Sequence, residues 1–340
     1  MTANSPSFIL AADVGGTKTN IALFDPSLPG TLSARLLRRA SFVSAAYAGL
    51  GELVAAFLNE DKAVCAIGAA CFGIPGPVVD GTCEVSNLPW RVDAAELARR
   101  FSIPSVSLLN DLEATAHAVA ALDDGAFRRL SAAARAEPGR PQAVIAAGTG
   151  LGMALLAPDA TGFRPLASEG GHVDFAPRDE LEIDLLRALQ KDYGHVSVER
   201  ILSGPGLARL YEFFCERPGV RVNSAVRTAV RSDPAEAPAR VSSAALGAEC
   251  EAAVLALDLF VRQYGAVAGN LGLTTYATGG LYLAGGIAPK ILPQLERGGF
   301  MQAFNDKGRL RSLTERIPVY VILDEQAPLL GAAHQAARSR

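Results

Sequence analysis

Three glycine-bearing turns and a handful of carboxylates and amides hold the residues in this chain that can do chemistry. The first turn is Asp13-Val14-Gly15-Gly16-Thr17-Lys18, placed after the apolar run Phe8–Ala12. A strand ending in Asp-x-Gly-Gly-Thr lets backbone N–H groups approach a phosphate where any side chain would block it. Asp13, at the strand end, can hold Mg²⁺ through water, because Mg²⁺ prefers oxygen ligands and keeps part of its hydration. The spacing differs from a GxxxxGK[ST] loop, and the residues that follow, Ile21-Ala22-Leu23-Phe24, read as a strand. The second turn is Gly148-Thr149-Gly150-Leu151-Gly152, with one hydroxyl and bare backbone on either side. A dinucleotide fingerprint, with Glu169 as its acidic residue, is excluded there. The spacing is GxGxG, and Met153–Leu156 continues as a strand where that fingerprint needs a helix. The third turn, Gly285-Gly286, follows the apolar Leu283-Ala284 and offers bare backbone for a nucleoside to lie against, with an ordinary left-handed or helix-entry turn as the open alternative.

Asn110-Asp111 closes another strand-like run, Val106–Leu109. Active sites of open α/β sheets lie at the carboxyl ends of strands, and a carboxylate there can take a proton from a hydroxyl. Asp111 has a second open role, since Asp is a preferred helix cap and a helical run begins at Leu112. Glu169-Gly170-Gly171-His172, with Glu199 further on, brings two acids and an imidazole. A carboxylate accepts hydrogen bonds from paired hydroxyls, so this set suits a polyol. His172 as a structural histidine and Glu199 as a surface residue beside Arg200 remain open alternatives.

The elements that must position these residues alternate. Strand, glycine turn and strand open the chain at Phe8–Phe24 and recur at Ala143–Leu156, which predicts an internally duplicated architecture. Between them, Val64–Phe72 reads as a strand, Asp93–Phe101 as an amphipathic helix and Val106–Leu109 as a strand. Ala132–Pro141 reads as an exposed loop. The second half is more helical, with Leu181–Tyr193, Gly206–Cys215 and a long helix over Ala244–Gly269; Ser232–Pro238 is a connector. Strands follow at Leu281–Ala284 and Pro318–Leu323. A last helix starts near Pro328 and is expected to pack back on the first half. Strands alternating with helices predict α/β layers.

Composition narrows the function classes. The chain has 340 residues, 49% hydrophobic and 20% charged, enough for two domains with large cores. The net charge of −3 gives no footprint for nucleic acid. The five cysteines, Cys65, Cys71, Cys83, Cys215 and Cys250, contain no CxxC pair and read as reduced thiols, with Cys65 and Cys71 expected in the core. The N-terminal sequence has no basic leader. The most apolar long segment, Ala252–Val261, is interrupted by Asp258 and reads as too short and too charged to span a bilayer. A cytoplasmic, non-membrane protein is the expectation.

The order and spacing of the motifs together resemble the bacterial glucokinases of the hexokinase–actin superfamily. The resemblance runs from about Leu10 to Ala333 and is close over Ser168–Pro177, Gly194–Gly206, Gly285–Pro289, Phe304–Arg309 and Ile317–Tyr320. It implies an α/β, actin-like ATPase (ribonuclease H-like) duplicated two-lobe fold with a central cleft. The small lobe would hold residues 1–121 plus 324–340 and the large lobe 122–323. It also implies an ATP- and Mg²⁺-dependent kinase acting on the 6-hydroxyl of glucose, usually a homodimer. Asp111 would be the general base, and Asn110, Glu169, His172 and Glu199 would bind the sugar. Ala12, Asp13, Val14, Gly15, Gly16 and Thr17 would form one phosphate loop; Thr149, Gly150 and Gly285 would serve the nucleotide. Thr17-Lys18-Thr19 is shared with the related repressor/ORF/kinase sugar kinases, whose zinc-binding CxCGxxGC cluster has no counterpart after His172. The zinc-free branch is therefore expected. A kinase for another hexose or N-acetylhexosamine is an alternative. So is a sugar-sensing regulator of the same fold, although the first loop begins too early to leave room for a DNA-binding domain before it.

Overall fold

The computed structural model describes residues 7–59, 66–132, 135–160 and 162–340. They form two compact units. The first comprises Met1–Ala126, Asp159–Leu166 and Asp324–Arg340, the second Phe127–Pro158 and Ala167–Leu323.

In the first unit, β1 (Phe8–Val14), β2 (Lys18–Phe24) and β3 (Leu36–Val43) form an antiparallel meander. On the other side of β1 lie β4 (Ile67–Ile74) and then β8 (Ser105–Asn110), both parallel to it. A small three-stranded sheet, β5 (Val78–Val79), β6 (Thr82–Glu84) and β7 (Arg91–Asp93), sits between β4 and β8 in sequence. Strand β1 is central and buried on both faces. Leu10, Ala12 and Val14 point into one core with Leu50, Leu53 and Phe57 of the helix Leu50–Asn59. Ile9 and Ala11 point into another, with Leu329, Leu330 and Ala333 of the C-terminal helix. The period of two along a strand explains this split.

The helix Ala327–Arg338, with Pro328 in its first turn, thus packs on the first unit as the sequence predicts. Gly331 lets it cross the helix Asp111–Ala118 at backbone contact, because a Cβ there would overlap the Ala114 carbonyl and the Ala118 amide.

The second unit repeats the plan. β10 (Gln142–Ala147) and β11 (Leu151–Asp159) form an antiparallel hairpin joined by a glycine turn. β12 (Gly162–Ser168) follows in the chain. β13 (Gly280–Ala284) and β14 (Val319–Ile322) add in parallel beside β10, and β9 (Phe127–Arg129) closes the edge antiparallel. Its core is helical on one side, with Leu257, Phe260 and Tyr264 of the helix Glu251–Thr275 fully or nearly buried.

Several sequence expectations shift. The long helix predicted over Ala244–Gly269 is two helices, Ala237–Leu246 and Glu251–Thr275. They break where Gly247 ends the first and Ala248 turns left-handed at φ 54°. The second helix is 25 residues long and apolar enough by length and composition to cross a membrane, but 72% of its most apolar window is buried inside the protein. The strand expected over Val64–Phe72 is observed as Ile67–Ile74; Val64 and Cys65 lie outside the described residues, as does part of the loop expected over Ala132–Pro141. Cys71 is fully buried as expected.

Candidate active site

The turn after β1 has little freedom. The Gly15 amide donates to the Lys18 carbonyl at 2.9 Å, and a Cβ on Gly15 would lie 2.7 Å from that oxygen. A Cβ on Gly16 would lie 3.0 Å from the Asn87 side chain. Ser44 ties the hairpin from outside. Its Oγ donates to the Gly15 carbonyl at 2.7 Å and shares a 3.0 Å hydrogen bond with Thr19 Oγ1, and its amide donates to the Thr17 carbonyl at 3.0 Å. Ala12 and Val14 bury their side chains in the core, so only their backbones face the turn. Thr17 is exposed.

Asp13 is half-buried at the end of β1, paired in register with Asn20 of β2. Removal from water pushes its carboxyl up to about 6; a hydrogen bond from Asn20 opposes this, and the charge of Asp111 adds to it. Because β1, β4 and β8 are parallel, Asp13 and Asp111 stand at the same, carboxyl-terminal edge of one sheet. This is where open α/β sheets bind ligands.

Asn110, not Asp111, is the helix cap. Its Oδ1 accepts the Leu112 amide at 2.9 Å, its own amide donates to the Glu113 carboxylate at 3.0 Å, and its Nδ2 donates to the Gly76 carbonyl at 3.1 Å. This corrects the reading of Asp111 as the cap: an Asn-x-x-Glu capping box begins one residue earlier. Asp111 is the first helical residue; its Oδ1 accepts the Leu112 amide at 2.8 Å and its side chain stays exposed. The surrounding protein still limits its hydration and raises its carboxyl above the ordinary range, against the pull of that amide.

In the second unit, Gly148 opens the second turn with its amide on the Gly150 carbonyl at 2.9 Å, and Thr149 is exposed at the tip. Gly285 turns after β13 with φ +81°, a conformation suited to glycine, and sits against the Ala147 carbonyl where a Cβ would not fit. Glu169 precedes and His172 ends the short 3-10 turn Gly170–His172, their side chains 90% and 59% exposed and 3.8 Å apart. Residues 173–175 pair with 196–198, which brings Glu199 alongside this turn. The Val198 amide donates to Val173 at 3.0 Å and the Phe175 amide to Val196 at 2.9 Å. Glu199 is half-buried, and its Oε2 accepts the Leu151 amide at 2.9 Å. The open alternative of a surface Glu199 beside Arg200 does not hold.

Ser44, Asn87 and Glu113 escape sequence reasoning as members of the site. The Glu113 signal was available as an Asn-x-x-Glu pattern before a helix. Ser44 and Asn87 carry no local signal. Among the described residues no group of three or more His, Cys, Asp or Glu side chains assembles that could hold a metal ion.

An antiparallel hairpin with two parallel strands added beside its first strand, built twice, with a glycine turn leaving that first strand each time, is the duplicated plan of the actin-like ATPase fold. The sequence profile of the family described as Glucokinase matches residues 10–339. A glucokinase from Synechocystis sp. is 42% identical over 348 residues, covering 97% of this chain and 98% of that protein. One from Marinobacter nauticus is 36% identical and covers 98% of each. A solved glucokinase from an Antarctic psychrotroph superposes with a TM-score of 0.84 at 30% identity, covering 98% of this chain and 99% of that one. A Balamuthia mandrillaris glucokinase solved with glucose shares the fold, with a TM-score of 0.78 at 23% identity over 99% of this chain and 95% of that one. The chain belongs to the glucokinase family, and it is an ATP-dependent hexose kinase.

Proposed function

We propose that this kinase transfers the γ-phosphoryl group of ATP to the 6-hydroxyl of D-glucose, with Asp111 as general base. The observation that carries this reading is the pair Asp13 and Asp111 at one edge of one sheet, each carboxyl raised by limited hydration. A carboxylate with a raised pKa is a stronger base, which is what a sugar hydroxyl requires. In the step proposed, Asp111 takes the proton from the 6-hydroxyl as that oxygen bonds to the γ-phosphorus. The bond to the bridging oxygen breaks and its electron pair leaves with ADP. Such transfers demand positioning and charge stabilisation more than covalent chemistry from the protein.

Asn110, Glu169, His172 and Glu199 hold the sugar in this reading. Asn110 has one amide hydrogen left after Gly76 takes the other. Glu169 and His172 are exposed, and Glu199 keeps Oε1 free of protein donors among the described residues. The backbone of Ala12–Thr17 and the Thr149-Gly150 turn receive the phosphates, and Gly285 the nucleoside. Asp13 would hold, through water, the Mg²⁺ that accompanies ATP, and the ion would supply charge neutralisation to the phosphates. A cation suits a carboxylate that burial and a neighbouring acid have both made costly to ionise. We further propose a cytoplasmic homodimer; a buried free thiol such as Cys71 suits a reducing compartment.

The test is a coupled ADP-release assay over glucose, fructose, mannose and N-acetylglucosamine, with Mg²⁺ and with chelator, and the product mapped by phosphorus NMR. Glucose should give the highest kcat/KM, the phosphate should sit on carbon 6, and chelation should stop turnover. A better hexose, or phosphate on another oxygen, would overturn the substrate assignment. Sedimentation velocity decides the dimer.

A further inference from the structure

Leu151 opens β11 directly after the Gly148-Thr149-Gly150 turn, and two segments of the sugar side close on its backbone, one by a hydrogen bond and one by close approach. Its amide donates to Glu199 Oε2 at 2.9 Å. Its carbonyl lies against Gly171, in the Glu169–His172 turn, where a Cβ has no room. Gly150 is bare where a side chain would strike the same carboxylate: a Cβ there would lie 2.6 Å from Glu199 Oε2 and 3.4 Å from its Cδ. The segment beyond Glu199 is stitched back to the turn as well. Ser203 Oγ donates to the Glu199 carbonyl at 2.8 Å, and the Gly204 amide donates to the Gly148 carbonyl at 2.8 Å.

A carboxylate offers about four acceptor positions. The Leu151 amide occupies one, on Oε2, and among the described residues no protein donor reaches Oε1. One rigid group therefore faces the phosphate turn with one oxygen and is open on the other.

We propose that Glu199 is a positioning residue that couples the two ligand sites, holding the second phosphate turn through Oε2 while Oε1 receives a sugar hydroxyl. This rests on the reading of Glu199 as a sugar ligand. A sugar hydroxyl on Oε1 fixes the carboxylate plane, and the fixed carboxylate fixes the Leu151 amide and the turn before it. The ordering of one group then serves both ligands, so each binds more tightly when the other is present. By linkage the two factors are equal.

The test is titration calorimetry of glucose with and without saturating ADP and Mg²⁺, a pair that cannot transfer phosphate, together with the reverse titration. The wild-type protein should show a coupling factor of about fivefold or more in both directions. Glu199→Gln retains one oxygen acceptor and loses the charge. It should weaken glucose by roughly tenfold and remove the coupling. Gly150→Ala lies on the nucleotide side, yet its Cβ displaces the Glu199 carboxylate. It should weaken glucose even without nucleotide and bring the coupling factor below about twofold, outside the usual range of such effects. Independent binding in the wild type overturns the proposal. So does a folded Gly150→Ala protein with wild-type glucose affinity and coupling, even where Glu199→Gln weakens glucose and its role as a ligand stands. Unchanged glucose affinity in Glu199→Gln removes the ligand reading itself and the coupling with it. Should Gly150→Ala not fold, Glu199→Asp replaces it. The charge stays but the side chain is one methylene too short to serve Leu151 and the sugar together, so retained coupling there also overturns the proposal.

Discussion

Asn110 and Glu113 cap one helix reciprocally. The Asn110 amide donates to the Glu113 carboxylate at 3.0 Å while Asn110 Oδ1 accepts the Leu112 amide at 2.9 Å. Asp111 sits between them, so the box fixes the backbone that carries the proposed base. Glu113→Ala leaves the Asn110 amide without its partner and should cost about 1 kcal/mol, the usual worth of a cap. The melting temperature should drop by about 2–4 °C, and kcat should fall while glucose KM changes less. Glu113→Gln keeps an acceptor and should restore most of both. Loss of kcat in the Gln variant equal to that in the Ala variant would show that Glu113 acts by its charge and not as a cap.

Because Asn110 provides the cap, Asp111→Asn tests chemistry with little structural interference. The substitution keeps an acceptor for the Leu112 amide. The melting temperature should hold, and kcat should fall by about 10²–10⁴, the usual contribution of general base catalysis. The raised carboxyl also sets a pH dependence. Asp111 must be ionised to act, so activity should fall as pH drops through its folded pKa. The acid limb of kcat/KM should lie above the ordinary carboxylate range. A folded Asp111→Asn protein with more than about a tenth of wild-type kcat would end the assignment.

Asp13 should weaken the ligand-free fold at neutral pH. Its folded pKa of about 6 exceeds the reference value of 3.8, so the folded state binds the proton more tightly than the unfolded chain. Stability is therefore greatest below the unfolded pKa and declines as pH rises from about 4 to about 6. Above that window, Asp13→Asn should stabilise the free protein by on the order of 1–3 kcal/mol. Melting curves at pH 7.5 and pH 4 check this: the variant should melt higher at the first and match wild type at the second. Turnover should be lost in the same variant if Asp13 holds the Mg²⁺ of the donor.

Gly331 sets the distance between the C-terminal helix and the helix that begins at Asp111. A Cβ would enter the space of the Ala114 carbonyl and the Ala118 amide, both backbone and unable to yield without moving the helix. Gly331→Ala should destabilise by about 1–3 kcal/mol, as overpacking does. In whatever remains folded, kcat should fall further than glucose KM rises, because the displaced element carries Asp111. Equal melting temperatures of variant and wild type would show that the helices separate freely.

The glycine turns after β1 and β10, the strands that feed them, and the acids Asp13 and Asp111 were legible in the sequence. A strand's period and a glycine's lack of Cβ are local properties, and the duplication repeats both. The buried pattern of Ile9–Ala12 also follows from a run with no polar residue, which suits a central strand buried on both faces. Helix boundaries were less legible: Ala248 turns left-handed and splits a run that composition alone reads as continuous. The tertiary structure decided which of Asn110 and Asp111 caps the helix, since both residue types favour that position and only the Glu113 and Gly76 contacts separate them. It also decided that Glu199 holds Leu151, 48 residues away, that Ser44 ties Gly15, 29 residues away, and that Gly331 meets Ala114. These pairings depend on which elements share a face once the chain has closed its cores. No window of sequence contains both partners, so no local periodicity or spacing can report them.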